Sequence, residues 1–229
     1  HGTTALTAVT AQNPAAVTGI EPVSPTLVRA QIAAVRSAFE LGAVKTGMLF
    51  DTAIIEAVAD GLRDLGGTAL VVDPVMVATS GARLLREDAQ AALVGRLVPM
   101  ATLVTPNLPE TEILLGRRVR GAADAAAAAR ELAARYGTAV VVKGGHADEA
   151  QVADFLATGG EVFVFRAPRV AAATTHGTGC SLSSAVAACL AAGDELPLAF
   201  ARAKAYVLGR LRTCWQAGPG TYVMSPPAT

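Results

Sequence analysis

Short unbroken apolar runs that stop at a polar residue constrain this chain more than any other feature. Ala69-Leu70-Val71-Val72 stops at Asp73, Thr102-Leu103-Val104 at Thr105, and Ala139-Val140-Val141-Val142 at Lys143. Runs of this length are too short for helices, and a strand that is apolar on both faces must be covered on both. The segments between them carry helical period, so strand and helix alternate with short turns. That alternation predicts an α/β fold with a mostly parallel sheet, right-handed crossovers and helices on both faces.

Along the chain, Thr4 to Ala11 has the composition of a buried strand and is broken by Gln12-Asn13-Pro14. Ser24 caps and Pro25 opens a helix through about Phe39, with Leu27, Ile32, Val35 and Phe39 on one face. A short strand over Ala43 to Met48 leads to Asp51, the cap of a helix whose Ile54, Ile55, Val58, Leu62 and Leu65 repeat up to Gly66-Gly67. Beyond a loop at Thr79-Ser80-Gly81, helices are expected over 86–98, 107–115 and 124–136, and a turn at Lys143-Gly144-Gly145. Val152 to Arg166, folded about Gly159-Gly160, reads as an antiparallel hairpin at a sheet edge. That edge would suit a homodimer contact. Two more helices, one to about Ala192 and one from Leu198 to roughly Trp215, precede a Pro- and Gly-rich tail read as loop. With no linker and no repeat, residues 1–229 are expected to form a single domain.

Hydrophobic residues make up 52% of the chain and charged ones 17%, enough apolar surface for a large core. The 19 basic and 19 acidic residues cancel, which leaves no electrostatic footprint for nucleic acid or an anionic membrane. A small molecule is therefore the expected partner. Three cysteines without metal-like spacing argue against a disulfide framework and a zinc site and for the reducing cytoplasm. No apolar window is long enough to span a membrane, and the start lacks a signal-peptide pattern.

Thr174-Thr175-His176-Gly177-Thr178-Gly179-Cys180-Ser181 is a glycine-bracketed loop running into an apolar helix. Its glycines let a ligand approach the backbone, and the free N–H groups of the helix end favour phosphate. At the same turn, Cys180 has its thiolate favoured by the helix end, as a base or nucleophile needs. A second reading also fits: small residues that let the helix pack, with Cys180 as apolar filler.

The polar residues after the strands lie where ligands bind in open α/β sheets. They are Gln12-Asn13, Lys45-Thr46-Gly47-Met48, Asp73, Asn107 with Glu110, Lys143-Gly144-Gly145, and the Gly177 to Cys180 loop. Carboxylates for a metal, a lysine for phosphate charge and backbone amides at a helix end together suit a nucleoside triphosphate with magnesium. Neither a P-loop nor a Gly-x-Gly-x-x-Gly fingerprint is present. Each residue has a plainer reading too. Asp73 can cap the turn before Pro74, Asn107 and Glu110 can serve a helix start, and Lys143 and Lys45 can be solvated charges. Met48 can be core, His146 a turn residue, and His176, Cys189 and Cys214 structural.

Ala11-Gln12-Asn13, Lys45-Thr46-Gly47-Met48, Val72-Asp73-Pro74-Val75-Met76, Thr105-Pro106-Asn107-Leu108-Pro109-Glu110, Lys143-Gly144-Gly145-His146 and His176-Gly177-Thr178-Gly179-Cys180 occur in an order that resembles the hydroxymethylpyrimidine/phosphomethylpyrimidine kinases. These are thiamine-biosynthesis enzymes of the ribokinase superfamily, and the resemblance extends to about residue 210. It implies a ribokinase-like three-layer sandwich and ATP- and Mg2+-dependent phosphorylation of 4-amino-5-hydroxymethyl-2-methylpyrimidine, then of its monophosphate. Gln12 would bond the aminopyrimidine, with Met48 and the Val75 backbone lining the ring pocket. Asp73 and Glu110 would organise the metal, with Asn107, Lys143 and Thr178 near ATP. Gly177, Thr178 and Gly179 would form an anion hole, and Cys180 would take the hydroxymethyl proton.

The family's opening strand and glycine-rich turn do not occur in this sequence, so the domain is expected without that first strand-turn-helix unit. Thr79 and Ala82 replace a usual lysine and aspartate, which implies weaker lid closure or a weaker second phosphorylation. A pyridoxal or pyridoxine kinase of the same superfamily is an alternative. Those that capture the aldehyde use a second cysteine in the lid, and residues 76–85 contain none. A non-catalytic pyrimidine-binding protein is a third reading.

Overall fold

Alternate side chains of the central strands feed cores on opposite faces of one sheet, and this fixes the layers. A computed structural model describes residues 1–77, 83–146, 150–172, 174 and 176–225, with backbone alone at 145 and 146. Thr79, Ala82 and the His146 side chain lie outside the described residues. Strands β1 (Ala8–Gln12) and β2 (Val17–Pro22) form an antiparallel hairpin of their own. Then come α1 (Pro25–Ala38), β3 (Ala43–Thr46), α2 (Thr52–Gly61), β4 (Ala69–Val72), a helical stretch of mixed pitch over 87–100 (α3) and β5 (Leu103–Val104). Next are α4 (Leu108–Leu115), α5 (Gly121–Tyr136), β6 (Ala139–His146), β7 (Gln151–Thr158) and β8 (Glu161–Pro168). Last come α6 (Thr178–Ala191), α7 (Leu196–Arg212), β9 (Trp215–Gly218) and β10 (Thr221–Val223).

The six-stranded sheet has the order β3-β4-β5-β6-β7-β8, parallel from β3 to β6 and antiparallel beyond. Leu70, Val72, Val104 and Val140 face one core with the apolar sides of α1, α2 and α3, which the Val142 side of β6 and β7 extends under α5. Val71, Leu103, Val141 and Leu156 face the other core, against Leu182 and Val186 of α6 and Phe200 and Val207 of α7. The expected edge hairpin is β7–β8. No helix among the described residues is long and apolar enough to cross a membrane.

The helix starts follow the capping chemistry in the sequence. Ser24 Oγ accepts from Leu27 N at 3.3 Å, and Asp51 Oδ1 from Ile54 N at 2.9 Å. Four expectations are corrected. The opening segment is not a buried strand of the sheet: β1 is largely exposed and pairs with β2, whose short alternating Val17-Thr18-Gly19-Ile20 was obscured by the Asn-Pro break. α2 ends at Gly61, where a Cβ would stand 3.0 Å from Ile32 of α1, and Gly66 and Gly67 belong to the following turn with φ of 60° and 88°. β6 runs through the turn expected at Lys143-Gly144-Gly145. The tail is a β9–β10 hairpin, and α7 stops at Arg212, before Trp215.

Phe200 is fully buried with its ring centroid 4.8 Å from that of Phe165, so it joins α7 to β8. Phe200→Ala should cost about 3–5 kcal/mol of stability, the range for emptying a buried aromatic site, read from the shift in urea midpoint.

Candidate active site

The polar residues at the strand ends converge because of strand parity. Two residues past Val71, Leu103 and Val141, on the face that carries α6 and α7, stand Asp73, Thr105 and Lys143. Asp73 is 3% exposed. Its Oδ1 accepts from Thr105 Oγ1 at 3.1 Å and from Lys143 Nζ at 3.2 Å. On the other side, Ser183 Oγ lies 3.0 Å from Oδ2 and within 3.1 Å of the Gly179 and Cys180 carbonyls. Its single proton goes best to the charged acceptor. A buried carboxylate needs such partners, since desolvation alone would neutralise it.

Lys143 is held from its backbone as well. Its N–H donates to Pro106 O at 2.9 Å, and an isolated parallel bridge joins it to Asn107. Its ammonium rests against α6: a Cβ on Gly179 would stand 3.4 Å from Nζ. Helix α6 starts at Gly177 with φ 81°, without a side-chain cap, and its first intrahelical bond is Ser181 N to Gly177 O at 2.9 Å. Gly179 and Cys180 precede that bond, so the positive end of the helix dipole and the Lys143 ammonium face the same space. Such an arrangement can receive an anion, with a cation at its side.

Asn107 and Glu110 form a reciprocal capping box on α4. Glu110 N donates to Asn107 Oδ1 at 2.9 Å, and Asn107 N donates to Glu110 Oε2 at 2.9 Å. The other carboxylate oxygen accepts from Met76 N at 3.3 Å, which ties α4 to the segment after Asp73. Glu110 is 3% exposed, and burial pushes its carboxyl up to about 7, the Lys143 charge and the Asn107 N–H only partly opposing the shift. It is thus a helix-start residue whose buried carboxylate also lies against the segment after Asp73.

The remaining candidates are held by other contacts. Val75 sits between the two tied residues, its N–H donating to Asp73 O at 2.8 Å. The Met48 carbonyl accepts from Thr7 Oγ1 at 2.7 Å, which fixes the root of the β1–β2 hairpin to the end of β3. Gln12 is exposed at the far end of that hairpin, beside Asn13, whose side chain accepts from Ala15 N and Ala16 N at 2.9 Å. Gly177 and Thr178 are half-buried. Cys180 is exposed and also borders an open groove of about 560 Å3 between α6 and α7, with Ser184, Ala188, Arg202 and Tyr206. Lys45 folds back over Gly47. Thr105 and Ser183 went unassigned in the sequence. The signal for Ser183 was a hydroxyl on the buried face of α6, between Leu182 and Val186.

Because Glu110 binds its proton more tightly folded than at its ordinary value of 4.5, its contribution favours the fold below that pH and is lost as pH rises through about 7. The unliganded protein should therefore lose about 3 kcal/mol over that window relative to Glu110→Gln, measured by urea unfolding at a series of pH values. Parallel stability–pH curves for the two proteins would contradict this.

Residues 1–225 match the family described as phosphomethylpyrimidine kinase. A hydroxymethylpyrimidine/phosphomethylpyrimidine kinase of Rhizobium meliloti is 47% identical over 210 residues, 90% of this chain and 78% of that protein. A thiamine biosynthesis bifunctional protein of Geobacter sulfurreducens is 43% identical over 220 residues, 96% of this chain and 45% of that longer protein. Among solved structures, an ADP complex of Bacillus subtilis pyridoxal kinase superposes with a TM-score of 0.86 at 30% identity, covering 96% of this chain and 84% of that one.

Proposed function

The chain belongs to the phosphomethylpyrimidine kinase family and has its ribokinase-like fold; from that premise we propose that it phosphorylates 4-amino-5-hydroxymethyl-2-methylpyrimidine with ATP, and then the monophosphate. It is a kinase of thiamine biosynthesis. The observation that carries the residue assignments is the buried Asp73–Lys143 pair standing at the uncapped N-terminus of α6.

Phosphoryl transfer asks for positioning and for charge stabilisation on the moving group. The Gly179 and Cys180 N–H groups and the helix dipole offer donors to phosphate oxygens, and Lys143 adds a fixed positive charge. Asp73, with Thr105 and Ser183, holds that lysine in place. Cys180 stands at the first turn of α6 and receives the hydroxymethyl proton in this reading. Gln12 and Met48 bond and line the pyrimidine, with the Val75 backbone between the two carboxylates.

Magnesium fits the donor set. Glu110 is buried with a raised affinity for a proton, so a cation nearby relieves an uncompensated site. Both carboxylates already accept protein hydrogen bonds, which suits an ion that keeps its waters and is held by one or two carboxylates plus phosphates. When bound, the ion supplies neutralisation of phosphate charge. Asp73 and Glu110 would hold it through water, with Asn107 and Thr178 near the nucleotide. A cytoplasmic setting goes with Cys180, Cys189 and Cys214 all being free thiols.

The pyridoxal kinase reading draws on the superposition with the ADP complex, and the higher identity to the pyrimidine kinase weighs against it. ATP consumption with hydroxymethylpyrimidine, its monophosphate and pyridoxal offered in parallel decides: turnover is expected with the first two, and turnover with pyridoxal alone would overturn the proposal. Cys180→Ala should leave ATP affinity nearly intact while lowering kcat by the ~10²–10⁴-fold typical of a lost general base. An unchanged kcat would remove Cys180 from the chemistry.

A further inference from the structure

Lys143 stands in a β-bulge that is gripped from outside the sheet. β6 pairs with β7 as far as Val142 opposite Phe155 and resumes at Gly145 opposite Ala153, so Lys143 and Gly144 together face Asp154 alone. A bulge of this kind re-aims a side chain, and Gly144 takes the left-handed φ of 73° that the extra residue demands. Its N–H donates to Asp154 Oδ1 at 2.8 Å. The other oxygen of Asp154 accepts from Lys204 Nζ of α7 at 2.7 Å, and Lys204 also donates to Phe165 O of β8 at 2.7 Å. The Asp154 and Lys204 side chains are 8% and 11% exposed.

Two successive amides are thus pinned on opposite sides, Lys143 by Pro106 O and Gly144 by Asp154. A buried ion pair adds little net stability over apolar residues of the same size, so stability alone does not account for this one. We propose that Asp154 and Lys204 are positioning residues for Lys143: the pair anchors the bulge to α7 and β8 and so fixes the ammonium between Asp73 and the end of α6. The inference rests on the reading of Lys143 as a phosphate contact given above.

The test is a double-mutant cycle on the full chain. kcat and KM for ATP, with hydroxymethylpyrimidine as acceptor, are measured for the natural protein, Asp154→Ala, Lys143→Met and the double variant, with thermal unfolding of each. Asp154→Ala is expected to lower kcat/KM on the order of tenfold in the natural background and by less than about twofold beside Lys143→Met, the non-additivity of residues acting through one another. Equal fold losses in both backgrounds, or no loss in the first, overturn the proposal. If the alanine variant does not unfold cooperatively, Asp154→Asn takes its place in the cycle, with a loss of about threefold expected only while Lys143 is present. A Lys143→Met protein with unchanged kcat/KM overturns the reading of Lys143 itself. A loss there together with an additive cycle overturns only the Asp154–Lys204 inference.

Discussion

A carboxylate closed off at the end of an apolar strand must find partners, and the placement of three elements follows from satisfying Asp73. Thr105 comes from the next strand in the sheet, Lys143 from the one after, and Ser183 from the helix lying over both. Were the register of β4, β5 and β6 to slip by one residue, the polar group of that strand would face the opposite core. The same partners bring the amine to the end of α6, with Gly179 leaving room for it. Fold and proposed site are in this sense one arrangement, since the residues that make the buried charge tolerable are those at which the anion would be held.

Charge balance extends the point. Asp73 and Glu110 both face the Lys143 ammonium, and burial leaves Glu110 close to half protonated near neutral pH. In the proposed function such a centre would suit a cation and the helix end beside it an anion. A metal–polyphosphate pair, as the proposed function would bring, would satisfy both demands together, whereas either partner alone would leave one of them unmet.

Much of this was legible in the sequence because it depends on local periods. The apolar runs marked the strands, and the polar residues that end them marked Asp73 and Lys143 as candidates, while Thr105, two residues past Leu103, went unassigned. Asn107 and Glu110 were legible as a helix start, which the capping box bears out, and the capping bond leaves the Glu110 carboxylate buried beside Met76. What escaped were relations without a period. Ser183 reaches Asp73 across 110 residues of chain and Lys204 reaches Asp154 across 50, and no local pattern encodes such meetings. The Lys143-Gly144-Gly145 segment looked like a turn because glycine with positive φ serves turns and bulges alike. β2 was hidden by the Asn-Pro break, and β9 and β10 by a tail whose prolines and glycines suggested loop.

The β1–β2 hairpin stands outside this economy of buried charge. Among the described residues it pairs with no strand of the main sheet, and its root is held by Thr7 on the Met48 carbonyl and by the paired bonds between Leu6 and Gln31. Two strands alone are marginally stable in water. The free energy to open this arm is therefore far smaller than that of unfolding the sheet, and its amides should exchange with solvent by local opening. Recognition through Gln12 would carry an ordering cost at each encounter, separate from the rigid centre around Asp73. If the pyrimidine binds through Gln12 as proposed, changes in the arm would then alter affinity without drawing on the stability of the main sheet.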